Sequence, residues 1–327
     1  MENYKPPFSI TNEMLSRIGS ISEKLGKISA YRSLETKPQL RRNNRIKSVH
    51  SSLKIEANSL PEGSVRAILN NQTVIGPEKE IQEVKNAFSA YDKIDFVDPY
   101  SVYDMKKLHG IMTYLTVEES GVFRKGNEGV FDGYRCIFMA PPPDMVNTLM
   151  EDLFAWMKSN KDSIHPLVLS CVFHYEFVFI HPFSDGNGRM ARLWQTVLLS
   201  HWNPIFKYIP IESQIEKFQS GYYDAIETCN SNGSSTVFIE FMLARIDEIL
   251  DSLLMQSESG ITEYVRKLLA VMEYDIPYTT SDLLKLLNLK SREALRRNYI
   301  SPAISENLIE MTIPEKPTSR NQRYIKK

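Results

Sequence analysis

Residues 167–198 constrain this chain more than any other stretch. Leu167 to Ile180 is mostly apolar and long enough for a buried helix. His181-Pro182 stops it, because proline disfavours the helical conformation in the residue before it. Gly186 and Gly188 then allow a tight turn and close backbone approach to a ligand. From about Gly188 the pattern is helical again, with Met190, Leu193, Trp194, Val197 and Leu198 at three- and four-residue steps. A polar loop therefore lies between two helices and feeds the N-terminus of the second.

The loop is dense in chemistry. His181-Pro182-Phe183-Ser184-Asp185-Gly186-Asn187-Gly188-Arg189-Met190-Ala191-Arg192 holds an imidazole, a carboxylate, an amide, two glycines and two arginines. Free N–H groups and the dipole of a helix N-terminus attract an anion. Arg189 and Arg192 are three apart and share a face of the first turn. Cations there oppose the dipole by roughly 0.3–1 kcal/mol each, a conflict that an anionic ligand removes. The set reads as general base, metal ligand, phosphate cradle and anion clamps, suited to a nucleotide polyphosphate with a divalent cation. A lone Gly-Asn-Gly or His-Pro is usually only a turn or a helix stop; the full run is what carries the reading. No Gly-Lys-Ser/Thr follows, so a P-loop NTPase is disfavoured.

The run resembles His-Pro-Phe-x-Asp-Gly-Asn-Gly-Arg-x-x-Arg of the Fic family at every defined position. The resemblance extends over roughly Asp98 to Leu250, with His165-Pro166, Gly121-Val122-Phe123-Arg124 and Tyr222-Tyr223-Asp224-Ala225 as further landmarks. It implies transfer of AMP from ATP to a hydroxyl side chain of a target protein. In that reading His181 is the general base, with an ordinary pKa near 6.5 that suits neutral pH. Asp185 is the Mg2+ ligand. Asn187 and the N–H groups of Gly186 and Gly188 hold α- and β-phosphate oxygens. Arg189 stabilises the diphosphate leaving group, and Arg192 holds the γ-phosphate.

A second constellation lies upstream. Ser51 to Asn58 resembles the inhibitory helix of Fic proteins, Ser/Thr-x-x-x-Glu-Gly/Asn, with Ser52 and Glu56 on one helix face. Ala57 departs from the pattern, which has Gly or Asn there. The resemblance implies that Glu56 pairs with Arg192, in a bidentate geometry suited to a block. Taken alone, Glu56 would read as an ordinary surface residue of an amphipathic helix. Val130, Phe131, Asp132 and Gly133 form a hairpin signal, because Asp-Gly sits between apolar or aromatic residues. In Fic proteins such a flap docks the target by strand addition, with little side-chain readout.

Tyr222 and Tyr223 are candidates to place a ring against adenine, and core packing is the competing reading. His165 and His174 read as structural. The widely spaced Cys136, Cys171 and Cys229 argue against a disulfide framework, and no Cys/His spacing indicates zinc. The polar N-terminus has no signal-peptide core and no membrane span is expected, so the expected location is cytoplasmic. The formal charge of −1 gives no global pull towards nucleic acid.

The expected fold is mainly α: residues 1–97 an N-terminal helical region, 98–252 a Fic-type helical bundle core with a short hairpin flap, and 261–327 a winged helix. Lys37 to Lys47 is a basic stretch within the first region. Over 261–327 there are twelve Lys/Arg and eight Asp/Glu, with Ser291 to Arg297 as the start of a recognition helix. The expected function is protein adenylylation restrained by Glu56, with ATP and Mg2+ as substrate and cation. The expected partner is a target protein; DNA through the winged helix competes with a winged helix used for packing or protein contact, and homo-oligomerisation is left open. Two other classes compete: removal of AMP or use of another nucleotide, and a DNA-binding regulator with a nucleotide-sensing core.

Overall fold

The computed structural model describes residues 4–30, 38–132, 135–258, 262–305, 308–317 and 319–326 of the 327. The chain divides into two compact units, Met1–Ser252 and Leu253–Lys327. The helical region at 1–97 is thus part of the same unit as the core.

The first unit opens with α1 (Asn12–Ala30), α2 (Pro38–Ile55), α3 (Glu62–Leu69), α4 (Glu78–Tyr91) and α5 (Val102–Met112). A hairpin of β1 (Gly129–Asp132) and β2 (Arg135–Met139) follows. Then come α6 (Pro143–Asn160), α7 (Pro166–Ile180), α8 (Asn187–Trp202), α9 (Ile211–Lys217), α10 (Gln219–Asn232) and α11 (Thr236–Glu258). The pair α7–α8 is the centre. Twelve of the fifteen residues of α7 are buried, as an all-round apolar helix requires. Trp194 of α8 is fully buried, and its indole N–H donates to the Pro99 carbonyl (3.2 Å). Burial of each such side chain contributes roughly 1.5–3 kcal/mol, so the loop between α7 and α8 is mounted on the most rigid part of the unit.

Helix α1 is tied to α11 at one carboxylate. Arg17, Ser20 and Lys24 all donate to Asp247, at 3.0, 2.7 and 2.7 Å. Its buried face is Met14, Ile21, Leu25 and Ile28, and Leu15 is exposed. Helix α2 packs on α9, α3, α4 and α8.

The second unit holds α12 (Glu263–Val271), α13 (Thr280–Leu286), α14 (Arg292–Ala294), a π-helical segment (Leu295–Ile300) and α15 (Ser301–Ser305). Two strands, β3 (Ile309–Met311) and β4 (Tyr324–Lys326), pair antiparallel. A capping box between Thr279 and Asp282 starts α13. The expected recognition helix from Ser291 to Arg297 is a short α-turn that passes into the π segment. Arg292, Arg296 and Arg297 are exposed there, and Leu295, Tyr299 and Ile300 face the core.

Candidate active site

His181 caps the C-terminus of α7 in the left-handed conformation (φ 51°), before Pro182. Its Nδ1–H faces the Val178 carbonyl at 3.4 Å, which leaves Nε2 to accept a proton. Burial lowers its pKa, so the imidazole is neutral, and basic, at pH 7.

The loop closes on itself. Gly186 has φ 80° and is the N-cap of α8. Asn187 clamps Phe183 from both sides: its Oδ1 accepts from the Phe183 N–H (2.9 Å) and its Nδ2 donates to the Phe183 carbonyl (2.7 Å). With these two bonds the Asn187 amide holds the loop.

Two residues outside the motif brace this loop: His109, which the sequence reading did not single out, and Arg124, which it named only as part of a landmark without a role. His109 in α5 is fully buried and stacks on Phe183, with ring centroids 3.5 Å apart. Its Nδ1 accepts from the Gly121 N–H (2.9 Å), so Nε2–H donates to the Asp185 carbonyl (2.9 Å). Burial drives its pKa down to about 4, which fixes that neutral tautomer. Arg124 is 2% exposed. Its guanidinium donates to the carbonyls of His181 (2.6 Å), Gly126 (2.7 Å), Pro141 (2.6 Å) and Ile180 (3.3 Å). One side chain thus joins the turn carrying His181 to both ends of the hairpin segment. Composition gives no hint of either role, since both rest on contacts across 57 or 76 positions of chain.

Both arginines of the loop face carboxylates. Arg189 is buried, and its Nη2 donates to Asp185 Oδ1 (2.8 Å). Its Nη1 lies 3.5 Å from Glu83 Oε1, yet Nε and Nη1 have no hydrogen-bond partner among the described residues. Asn58 Nδ2 donates to the other oxygen of Glu83 (2.9 Å). A buried cation with donors to spare, beside free helix N–H groups, suits an anion. Asp185 Oδ2 meets only Lys79, at 3.9 Å. No group of three or more His, Cys, Asp or Glu able to hold an ion occurs among the described residues. A hard cation at Asp185 would therefore draw its other ligands from phosphate oxygens and water, as Mg2+ does.

Arg192 is 2% exposed and engaged by the end of α2 through Nε and Nη2. Its Nε donates to Ser52 Oγ (3.0 Å), and its Nη2 donates to the Ser52 carbonyl (2.9 Å) and Glu56 Oε1 (2.8 Å). The expected bidentate pair is corrected: Ser52 takes the edge that a second carboxylate oxygen would need. Glu56 is presented by a helix terminus of Schellman type, with Ala57 N–H donating to Lys54 O and Asn58 N–H to Leu53 O. Ala57 sits at φ 65°, where glycine or asparagine is favoured.

Tyr222 is 2% exposed, so its ring is core rather than an open platform. Its hydroxyl donates to His174 Nε2 (3.0 Å) and its oxygen faces Arg192; His174 Nδ1–H donates to Gln195 (2.6 Å). Burial pushes the His174 pKa down to about 3. Tyr223 is half exposed and stands edge-on to Tyr222. In the hairpin, the backbones of Val130, Phe131 and Asp132 pair with β2, with a register shift at Val130/Phe131. Gly133 lies outside the described residues.

A solved structure of a Fic family protein from Desulfovibrio desulfuricans is 38% identical to this chain. The match covers 99% of this chain and 98% of that one, with a TM-score of 0.74. This chain belongs to the Fic family. Residues 99–199 match the Fic/DOC family, and residues 263–325 match the Filamentation induced by cAMP protein Fic-like, C-terminal domain. Relatives named protein adenylyltransferase Fic, from Aedes aegypti, and protein adenylyltransferase fic-1, from Caenorhabditis elegans, are 27% and 28% identical. They cover 63% and 66% of this chain, which spans only 41% and 46% of theirs. No helix among the described residues is long and apolar enough to cross a membrane.

Proposed function

We propose that this Fic protein is a protein adenylyltransferase, held inactive by Glu56. The observation that carries the reading is the engagement of Arg192 by Glu56 and Ser52 beside a loop that otherwise offers buried, unpartnered Arg189 donors. Relatives that bear the adenylyltransferase name support the reaction class.

The target hydroxyl oxygen attacks the α-phosphorus of ATP while its proton passes to His181 Nε2. The bond from the α-phosphorus to the bridging oxygen breaks, and diphosphate leaves. Arg189 and the first-turn N–H groups of α8 stabilise the charge that develops on it. Asp185 would hold Mg2+, which would supply further neutralisation of phosphate charge. Arg192 serves the γ-phosphate once Glu56 withdraws. The hairpin, placed by Arg124, offers a strand edge to the target with no side-chain code. Tyr223, rather than Tyr222, is the ring open to a base. We read the second unit as a winged helix whose exposed arginines offer a phosphate-binding face.

Transfer of label from α-labelled ATP with Mg2+ tests this. Label is expected to be strong in Glu56→Gly, weak in the wild type and absent in Glu56→Gly with His181→Ala. Absence of label from all three, with ATP binding intact, would overturn it; release of AMP from a pre-modified protein would then identify the reverse reaction.

A further inference from the structure

The basic stretch of α2 is not absorbed by the site above. Helix α2 carries five Lys/Arg and no Asp or Glu. Arg41, Arg42 and Arg45 line an open cavity of about 370 Å³ on the outer side of this helix. Leu69, Phe88 and Tyr208 supply its apolar and aromatic wall, and Asp92 its one carboxylate.

None of the three arginines makes an ion pair among the described residues. Arg41 lies over the Tyr208 ring and Arg45 over the Tyr91 ring, each 5.3 Å from the centroid. Arg42 donates to the amide oxygen of Asn70. Arg45 Nη1 is buried with no hydrogen-bond partner among the described residues. Three guanidiniums against one carboxylate leave a local charge of plus two. A phosphate monoester carries about −1.5 to −2 at pH 7, and guanidinium forks match its oxygens. The cavity is within the size range of small-molecule sites, and its ring-lined wall suits a planar group.

We propose that this cavity is a second anion site, for a phosphate dianion, either free phosphate or the phosphate of a nucleoside monophosphate. The occupant bridges α2 to the walls given by α4 and the turn at Pro204–Tyr208. Glu56 follows the other end of α2, roughly 16 Å further along at 1.5 Å per residue. An occupied cavity therefore holds α2, and with it Glu56, in the docked position. This coupling rests on the adenylyltransferase reading; the binding does not.

Calorimetric titration of the full chain with inorganic phosphate, and separately with AMP, tests the site. Binding is expected in the wild type and in Arg192→Ala. It should weaken at least tenfold in Arg41→Gln with Arg45→Gln, and tighten in Asp92→Asn, a gain that misfolding cannot produce. Tighter binding of AMP than of phosphate identifies the ring wall as part of the site; equal binding assigns the site to phosphate alone. No binding, or binding lost in Arg192→Ala and kept in the double variant, overturns the proposal, because the anion then sits at the loop of α8. In the transfer assay, ligand at ten times its Kd should slow wild-type labelling about tenfold and leave Glu56→Gly unchanged. Binding in the cavity with labelling indifferent to it overturns the coupling alone. Binding there with no labelling in any variant leaves the site standing and removes the adenylyltransferase reading.

Discussion

Glu56 occupies the space that a side chain on Gly188 would fill. A Cβ on Gly188 would lie 2.2 Å from Glu56 Oε1 and 3.1 Å from Arg192 Nη1. The Glu56 carboxylate rests directly on the first turn of α8, and the glycine there is what admits it.

A methyl group at 188 must push Glu56 aside, whereas helix propensity alone favours alanine over glycine by roughly 0.5–1 kcal/mol. Gly188→Ala should therefore destabilise the wild type and stabilise Glu56→Gly. A double-mutant cycle by urea unfolding should show coupling of about 1 kcal/mol between the two positions. Additive effects would mean that the carboxylate does not rest on this turn in solution.

Ala57 holds a left-handed conformation that closes the terminus of α2. Ala57→Gly should raise stability by about 1 kcal/mol, since an L side chain in this region costs roughly 1–2 kcal/mol. It should also deepen inhibition, because the same turn presents Glu56. A thermal midpoint unchanged or lowered by the substitution would contradict the strain.

Arg124 touches no reacting atom in the proposed reaction, yet it fixes the backbone on either side of the hairpin and under His181. In a Glu56→Gly background, Arg124→Lys should lower kcat for label transfer by roughly 10²-fold, the scale of a 1 Å misplacement. The KM for ATP should change little. Arg124→Gln also removes a positive charge that lowers the His181 pKa. The acid limb of the pH–rate profile should then move to higher pH; an unmoved limb would reduce Arg124 to a purely structural role.

His109 is held neutral, with its pKa at about 4 against an ordinary 6.5. The unfolded chain takes up this proton first as pH falls. Stability from His109 is therefore complete above pH 6.5 and declines between pH 6.5 and 4, by about 3 kcal/mol in total at 1.36 kcal/mol per unit. His174 acts in the same direction. Urea unfolding of His109→Asn should lose part of this acid sensitivity, and an identical pH dependence would exclude His109 as a source.

The helix–loop–helix at 167–198 was legible because apolar spacing and Pro/Gly punctuation are local signals. The meeting of Glu56 with Arg192 was legible only through the family pattern, since 136 residues separate the two. The roles of His109 and Arg124 were not legible: Arg124 stood in a landmark without a role and His109 drew no notice, because each acts only when the loop is folded against it. The choice between Tyr222 and Tyr223 depended on which ring faces the core, and adjacent residues on a helix differ by a rotation that this short pattern does not fix. The two bonds from Asn187 to the backbone of Phe183 were not legible either, because they depend on how the loop folds back on itself.

Glu56 and Arg192 belong to one chain, so in the proposed function the carboxylate acts as a tethered competitor for the anion that seeks that guanidinium. Tethering of this kind corresponds to an effective concentration of about millimolar or more. Dilution leaves the contact intact, and its strength is the same in a crowded cell and in a nanomolar assay. Salt is a weak lever as well, because Arg192 is buried and screening acts mainly on exposed charges. What can change the outcome is the fraction of time that α2 spends docked, which makes a helix, rather than a concentration, the variable that sets the response.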